Sequence, residues 1–302
     1  MLNNPAPIAL ITGASGFVGS HLARHLQQQG WQIHLLTRPN SVLPALLNDV
    51  PCQRHAYDGS TDSVLQAVAD SRPTVVFHLA SLFLSQHQSR DVAPLMASNV
   101  LFGSQLLEAM QVHGVTRLMN TGTSWQHYQN ADYNPVCLYA ATKQAFEAVL
   151  QYYVAAHGLR AITLKLFDTY GPADPRPKLF HLLQKTAQAG QPLDMSAGEQ
   201  LIDIVHIDDV CAAYQLAAQR LLNDLAQGHE SYAVSSGQPL PLKDLVALYA
   251  QVTGQNVPIN WGARPYRPRE VMQPWHSGQP VPGWQPRIAL AEGMRRVHAT
   301  HD

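Results

Sequence analysis

The 302-residue chain carries no surplus of either charge: 20 lysines and arginines stand against 21 aspartates and glutamates. Such balance gives no support to a nucleic-acid or membrane-surface role, because both need a basic face. Cysteine is scarce. Cys52, Cys137 and Cys211 lie far apart without metal-ligand spacing, a set that fits a reducing compartment better than a disulfide framework. The fifteen histidines are scattered and form no His-Glu-x-x-His pattern, so no metal is expected. No uninterrupted apolar run reaches the ~18 residues of a membrane span. The apolar N-terminus lacks a basic leader and runs into a glycine turn, so it does not read as a signal peptide, and a cytoplasmic location is expected. Internal repeats and low-complexity tracts are missing too. A chain of this length can bury a large core, as one two-lobed unit or two domains.

What is present begins at once. Ile8-Ala-Leu-Ile-Thr-Gly13-Ala-Ser-Gly16-Phe-Val-Gly19 is an apolar run that stops at three glycines spaced three apart. A helical pattern with Leu22 and Leu26 on one face follows. Strand, tight turn and helix in this order open a dinucleotide-binding fold. The glycines let the backbone approach a pyrophosphate, which the helix N-terminus stabilises. Strand-like runs at 32–37, 74–80, 117–121 and 161–167 alternate with helix-like stretches at 21–29, 63–70, 95–113 and 138–157. This alternation predicts an α/β fold, a doubly wound parallel sheet of the Rossmann type covered on both faces. The pattern changes after Gly171-Pro172, and prolines crowd residues 264–286. The expected division is a dinucleotide-binding domain over 1–170, with a return segment near 201–235, and a smaller, mainly substrate-binding lobe over 171–302. Trp261, Trp275 and Trp284 call for burial, which argues against a disordered tail.

The end of the second strand decides between NAD and NADP, since an acidic side chain there binds the ribose 2′-hydroxyl and repels a 2′-phosphate. This strand ends Leu35-Leu36-Thr37-Arg38. Thr37 holds the acidic position, and Arg38 can pair with a 2′-phosphate, although a solvated arginine is the plainer reading. NADPH is therefore expected over NAD. Asp58, after the third strand, is a weaker candidate for the adenine amino group.

Tyr139-Ala-Ala-Thr-Lys143 places two polar side chains on one helix face. A nearby ammonium lowers a phenol's pKa and makes it a usable proton donor or acceptor. Before it, Thr121-Gly-Thr123-Ser124-Trp125 ends a strand in hydroxyls, at the sheet edge where α/β folds place their sites. Thr123 can hold a substrate carbonyl beside Tyr139, or simply cap the strand.

In these residues the chain resembles the extended short-chain dehydrogenase/reductase family, the NAD-dependent epimerase/dehydratase branch. Gly13-x-x-Gly16-x-x-Gly19, His78-Leu-Ala80, Asn99, Thr123, Tyr139-x-x-x-Lys143, Tyr170-Gly171-Pro172, Val205-His206-Ile-Asp208-Asp209 and Pro282-Gly-Trp284-Gln-Pro286 follow the family's order over nearly the whole chain. The resemblance implies hydride transfer between nicotinamide and a sugar keto carbon. Tyr139 would be the acid, Lys143 would hold the nicotinamide ribose, Thr123 would orient the keto oxygen, and Asn99 would belong to a supporting relay. It also implies cofactor contacts from Ser15, Phe17, Val18, Leu79, Ala80 and Leu166, and substrate contacts from Ser81, Ser124, Trp125, Asp168, Arg176, Lys178 and Arg267. Family dehydratases carry an Asp-Glu pair where this chain has Ser124-Trp125, which argues against elimination chemistry. The segments Thr123–Tyr128, 138–147, 164–172, 176–178 and 194–199 resemble nucleotide-sugar 4-ketoreductases of the CDP-abequose synthase type, which use NADPH in O-antigen sugar synthesis. An NAD-retaining 4-epimerase remains the alternative, and a non-catalytic cofactor-binding regulator a more distant one. Three positions depart from the family pattern, the first being Lys165, which stands where Arg is common. Asp168 stands where Asn is common, and Ile202 stands where an arginine usually helps hold the diphosphate. Arg176, Lys178, Arg267 and Arg269 are the candidates to replace it. The resemblance also implies a homodimer through the helices at 95–113 and 138–157.

Overall fold

The opening apolar run forms strand β1 (Ile8–Thr12), and the glycine turn behind it leads into helix α1 (Phe17–Gln28). The computed structural model describes residues 5–299. The alternation continues with β2 (Gln32–Thr37), β3 (Cys52–Ala56), α2 (Thr61–Ser71), β4 (Val75–His78), α3 (Val92–Met96), α4 (Phe102–Val112), β5 (Arg117–Thr123), α5 (Leu138–His157) and β6 (Arg160–Leu166). Beyond it lie β7 (Asp168–Tyr170), α6 (Leu179–Ala189), β8 (Leu193–Asp194), β9 (Leu201–Ile202), β10 (Ile204–His206), α7 (Ile207–Leu222), β11 (His229–Val234), β12 (Leu240–Pro241), α8 (Leu242–Thr253), β13 (Ile259–Asn260) and α9 (Leu290–Ala299).

Seven strands form one parallel sheet in the order β11-β6-β5-β4-β1-β2-β3, the expected doubly wound Rossmann arrangement. The period of two along each strand divides its side chains between two cores. Ala9, Ile11, Val75 and Phe77 face α1 and α7, while Leu10 and Val76 face α2, α4 and α5. The chain leaves β1 toward β2 and β3, then crosses back to β4 on the other side of β1. That reversal opens a crevice at the C-terminal ends of β1 and β4, where ligands of such sheets bind.

A third core, built on Leu183, Leu245, Tyr249 and Met294, holds α6, α8 and α9 together. Three two-stranded pairs, β7 with β10, β9 with β12 and β8 with β13, flank it. The C-terminal half does not stay in this lobe. β11 pairs with β6 at the sheet edge, and Val281 and Trp284 pack into the α1/α7 core. The Trp284 indole N–H donates to the Asp209 carbonyl at 3.0 Å. Trp261, by contrast, is not buried as its size suggested: it is 38% exposed, resting beside Gly198.

One helix departs from the regular pattern expected over 95–113. Between α3 and α4 the backbone makes a π turn over Ala97–Leu101. Such turns insert a residue into the helical ladder and re-aim a side chain. Here the buried side chain on the turn is Asn99.

Candidate active site

The crevice is floored by the glycine turn. A side-chain carbon on Gly13 would lie 2.6 Å from the Ala80 nitrogen, and one on Gly19 would lie 2.3 Å from the Gly13 carbonyl oxygen. These two glycines let β1, the 79–80 segment and α1 pack together. Gly16 differs. It lines the cleft, and a carbon there would meet only the Gly13 oxygen, at 3.3 Å. Its bare backbone leaves a cradle that a side chain would fill, at the N-terminus of α1, whose first turn has no acidic residue. This arrangement fits a dinucleotide pyrophosphate.

From the turn the cleft runs in two directions. One arm is lined by Ser15, Thr37, Arg38, Ser41, Tyr57, Leu79, Ala80 and Ser81. Asp58 is outside that lining. Its exposed carboxylate accepts from the Ser60 amide at 2.8 Å and orders the start of α2, and the neighbouring Tyr57 takes the place in the wall. The other arm brings together Phe17, Val18, Ser81, Thr123, Ser124, Trp125, Tyr139, Lys143, Leu166, Asp168, Arg176 and Lys178.

Tyr139 and Lys143 share the first turns of α5, with the Lys143 ammonium 5.9 Å from the phenol ring centre. Burial dominates both groups. It holds the Lys143 ammonium down to about 8, against a smaller upward pull from Glu147. It pushes the Tyr139 phenol well above its ordinary range, while the Ser81 hydroxyl pulls the other way. The expected lowering of the phenol by its ammonium is overridden, because desolvation of a phenolate here outweighs an ammonium at that distance. The phenol therefore stands protonated.

Asn99 ties the two sides of this arm together. Its carbonyl accepts from the Leu82 amide at 2.7 Å and from the Ser81 hydroxyl at 3.2 Å. Its amide donates to the Leu82 carbonyl at 3.0 Å and to Thr142 Oγ1 at 2.9 Å. Thr142 in turn donates to the Tyr139 carbonyl at 2.7 Å. The loop after β4 and the start of α5 are thus fixed relative to each other.

Behind Thr123 lies a network that spacing alone does not reveal. The Thr123 amide donates to Gln126 Oε1 at 3.0 Å, and Gln126 Nε2 donates to Gln144 at 2.7 Å and Glu147 at 2.9 Å. Glu147 pairs with Lys165 of β6 at 3.1 Å, both side chains being almost fully buried. The Thr123 hydroxyl accepts from the Trp125 amide at 3.3 Å. Phe83 is a further wall residue that the sequence does not single out. Its ring meets Tyr139 edge-on at 4.9 Å and lies 5.6 Å from Trp125, so it closes the arm beside the phenol.

The candidate diphosphate cations separate. Arg176, Lys178 and Arg267 line a neighbouring cavity with Asp168, Gln200 and Ile202. Arg176 is locked against Asp174 at 2.7 Å and stacked on Phe17. Lys178 pairs with Asp168 at 3.1 Å, and Arg267 with Glu270 at 2.7 Å. Arg269 does not join them. It stacks on Tyr128 at 4.3 Å and bonds the Pro135 carbonyl.

Residues 9–231 match the model of the NAD dependent epimerase/dehydratase family. The chain is 25% identical over 296 residues to a CDP-abequose synthase of Salmonella muenchen, covering 95% of this chain and 96% of that protein. It is also 25% identical over 313 residues to a UDP-glucose 4-epimerase of Halalkalibacterium halodurans, covering 94% and 92%. Among solved structures, the Thermus thermophilus UDP-glucose 4-epimerase in complex with NAD has the same fold, with a TM-score of 0.83, 24% identity and coverage of 97% and 98%.

Proposed function

The chain belongs to the NAD dependent epimerase/dehydratase family, and from that premise we propose that it is an NADPH-dependent reductase of the 4-keto group of a nucleotide-linked deoxysugar. CDP-4-keto-3,6-dideoxyglucose is the favoured substrate. The observation that carries this reading is one cleft holding a protonated phenol, an ammonium and a strand-end hydroxyl, with an arginine rather than a carboxylate at its cofactor end. The similarity to CDP-abequose synthases supports the substrate class. Ser124-Trp125 beside Thr123 offers no acid–base pair for elimination.

Held at the glycine turn and by Lys143, a nicotinamide cofactor would supply the hydride for the keto carbon. Thr123 Oγ1 holds the keto oxygen through a hydrogen bond. Tyr139 gives its phenolic proton to that oxygen as negative charge develops on it, leaving a secondary alcohol and a phenolate. Lys143 stabilises the phenolate and binds the nicotinamide ribose. Asn99 keeps Ser81 and the start of α5 in place, so that phenol and hydroxyl meet the same oxygen. Arg176, Lys178 and Arg267 form the wall available to the diphosphate. Each shares its charge with a carboxylate, Arg176 with Asp174, Lys178 with Asp168 and Arg267 with Glu270.

Because the Lys143 ammonium titrates at about 8, its charge is present below that pH and lost above it. kcat/KM, which reports the free enzyme, should hold level below about pH 7.5 and fall with rising pH through 8. A level profile to about pH 9.5 would contradict the role given to the ammonium.

At the cofactor end, Arg38→Ala is expected to weaken NADPH by about tenfold or more and NADH by less than about twofold, the cost of one charge-assisted contact. Equal losses in titrations of the two cofactors would remove the 2′-phosphate role.

A second reading, an epimerase that retains NAD and returns the hydride to the same carbon, is supported by the similarity to UDP-glucose 4-epimerases. The two differ in what the purified protein carries. A reductase must exchange cofactor each turnover and should release little on denaturation, whereas stoichiometric NAD in the denatured supernatant would favour the epimerase. Among the described residues no helix is long and apolar enough to cross a membrane. The proposed homodimer would use the helical face that leaves Met96, Leu101 and Tyr152 exposed, and light scattering at the monomer mass would dispose of it.

A further inference from the structure

A second guanidinium bonds two of the residues that line the cofactor end of the cleft, Thr37 and Ser41. Arg54 lies on β3, and its Nη2 donates to Thr37 Oγ1 at 3.3 Å and to the Ser41 carbonyl at 3.0 Å. β3 runs parallel to β2, with Leu35 beside Arg54 and Thr37 beside Ala56. The Arg54 side chain therefore reaches along the pair toward the strands' C-terminal ends. There Thr37, Arg38 and Ser41 line the same arm as Gly13, Gly16 and Ala80.

The partners of this arginine are unusual. Arg24, on α1, is held by both oxygens of Asp49, at 3.0 and 3.2 Å. Arg38 and Arg54 have no carboxylate partner among the described residues, and Arg54 bonds only a neutral hydroxyl and a carbonyl. A guanidinium has five donors, and both bonds of Arg54 leave from one nitrogen. It is thus aimed at the tip of β2 with donors and charge to spare. In a dinucleotide fold that tip faces the ribose 2′ position. The threonine that takes the place of the usual acidic residue does two things: it removes a repulsive charge and it anchors a cation.

We propose that Arg54, positioned by the Thr37 hydroxyl, binds the cofactor 2′-phosphate from the β3 side, opposite Arg38. The selectivity is then a two-sided clamp built by neighbouring strands. This inference rests on the NADPH reading above and deepens it.

The test is calorimetric titration with adenosine 2′,5′-bisphosphate and adenosine 5′-monophosphate, which differ only in the phosphate at issue. The wild-type protein should prefer the bisphosphate by at least about a hundredfold, and Arg54→Met and Arg38→Ala should each reduce that preference about tenfold. Thr37→Val, which frees Arg54 without removing charge, should reduce it by less. A merely structural role for Arg54 would weaken both nucleotides alike and leave their ratio intact. A wild-type ratio near one would overturn the NADPH reading itself and the clamp with it. A large wild-type ratio that Arg38→Ala lowers and Arg54→Met does not would overturn the role of Arg54 alone.

Discussion

Tyr139→Phe should lower kcat by about a thousandfold, within the range that a lost general acid costs, while NADPH affinity stays within about threefold of the wild type. The argument rests on which atom is removed. The phenyl ring keeps its edge-on contact with Phe83, and the Asn99–Thr142–Tyr139 backbone chain does not involve the hydroxyl. What is lost is the proton donor, with its hydrogen bond to the Ser81 hydroxyl. An alkoxide forming beside Thr123 would then have one hydrogen bond and no proton within reach. Stopped-flow measurement under saturating cofactor separates the two effects, since binding precedes chemistry. Near wild-type rates in this variant would remove Tyr139 as the acid.

The second large effect concerns stability. Glu147→Leu should destabilise the protein by about 3–5 kcal/mol, because it leaves the Lys165 ammonium buried without its partner. Burial already pulls the Lys165 ammonium down and Glu147 holds it up, so removing the carboxylate leaves desolvation unopposed. The double variant Glu147→Leu/Lys165→Met should recover most of the loss, since an apolar pair of similar volume is often no worse than a buried ion pair. Denaturant unfolding of the single and double variants measures both. If the double variant were as unstable as the single, the cost would lie in packing rather than in charge. The ion pair also bears on the site, because Glu147 orients Gln126, and Gln126 receives the Thr123 amide.

What is legible in the sequence is what lies close along the chain. The glycine turn, the strand over 32–37 and the Tyr139–Lys143 helix are each contained in one element or one turn, where a period of two or 3.6 fixes which side chains share a face. The structure places those elements as expected, and it brings Thr123, Tyr139 and Lys143 to one cleft. Contacts across the sheet or between layers have no such signature. Glu147 and Lys165 stand 18 residues apart on α5 and β6. Neither marks itself as paired until β6 is laid beside β5. Phe83 lies in a loop after β4, where no periodicity says which way a ring points. The π turn at Ala97–Leu101 has ordinary helix-forming neighbours, and only the burial of Asn99 gives it a reason. Arg54 is hidden for the same cause as Lys165: its partner, Thr37, sits on the neighbouring strand. The phenol's titration runs against the spacing because a charge at 5.9 Å is visible along the helix whereas desolvation is not.

The most direct test of the account is oxidation of NADPH, followed at its nicotinamide absorbance, with CDP-4-keto-3,6-dideoxyglucose and, for comparison, dTDP-4-keto-6-deoxyglucose. The account predicts substrate-dependent oxidation that is faster with the CDP sugar and slower with NADH in place of NADPH. No oxidation of either cofactor with either sugar, in protein shown to bind the cofactor, would contradict it.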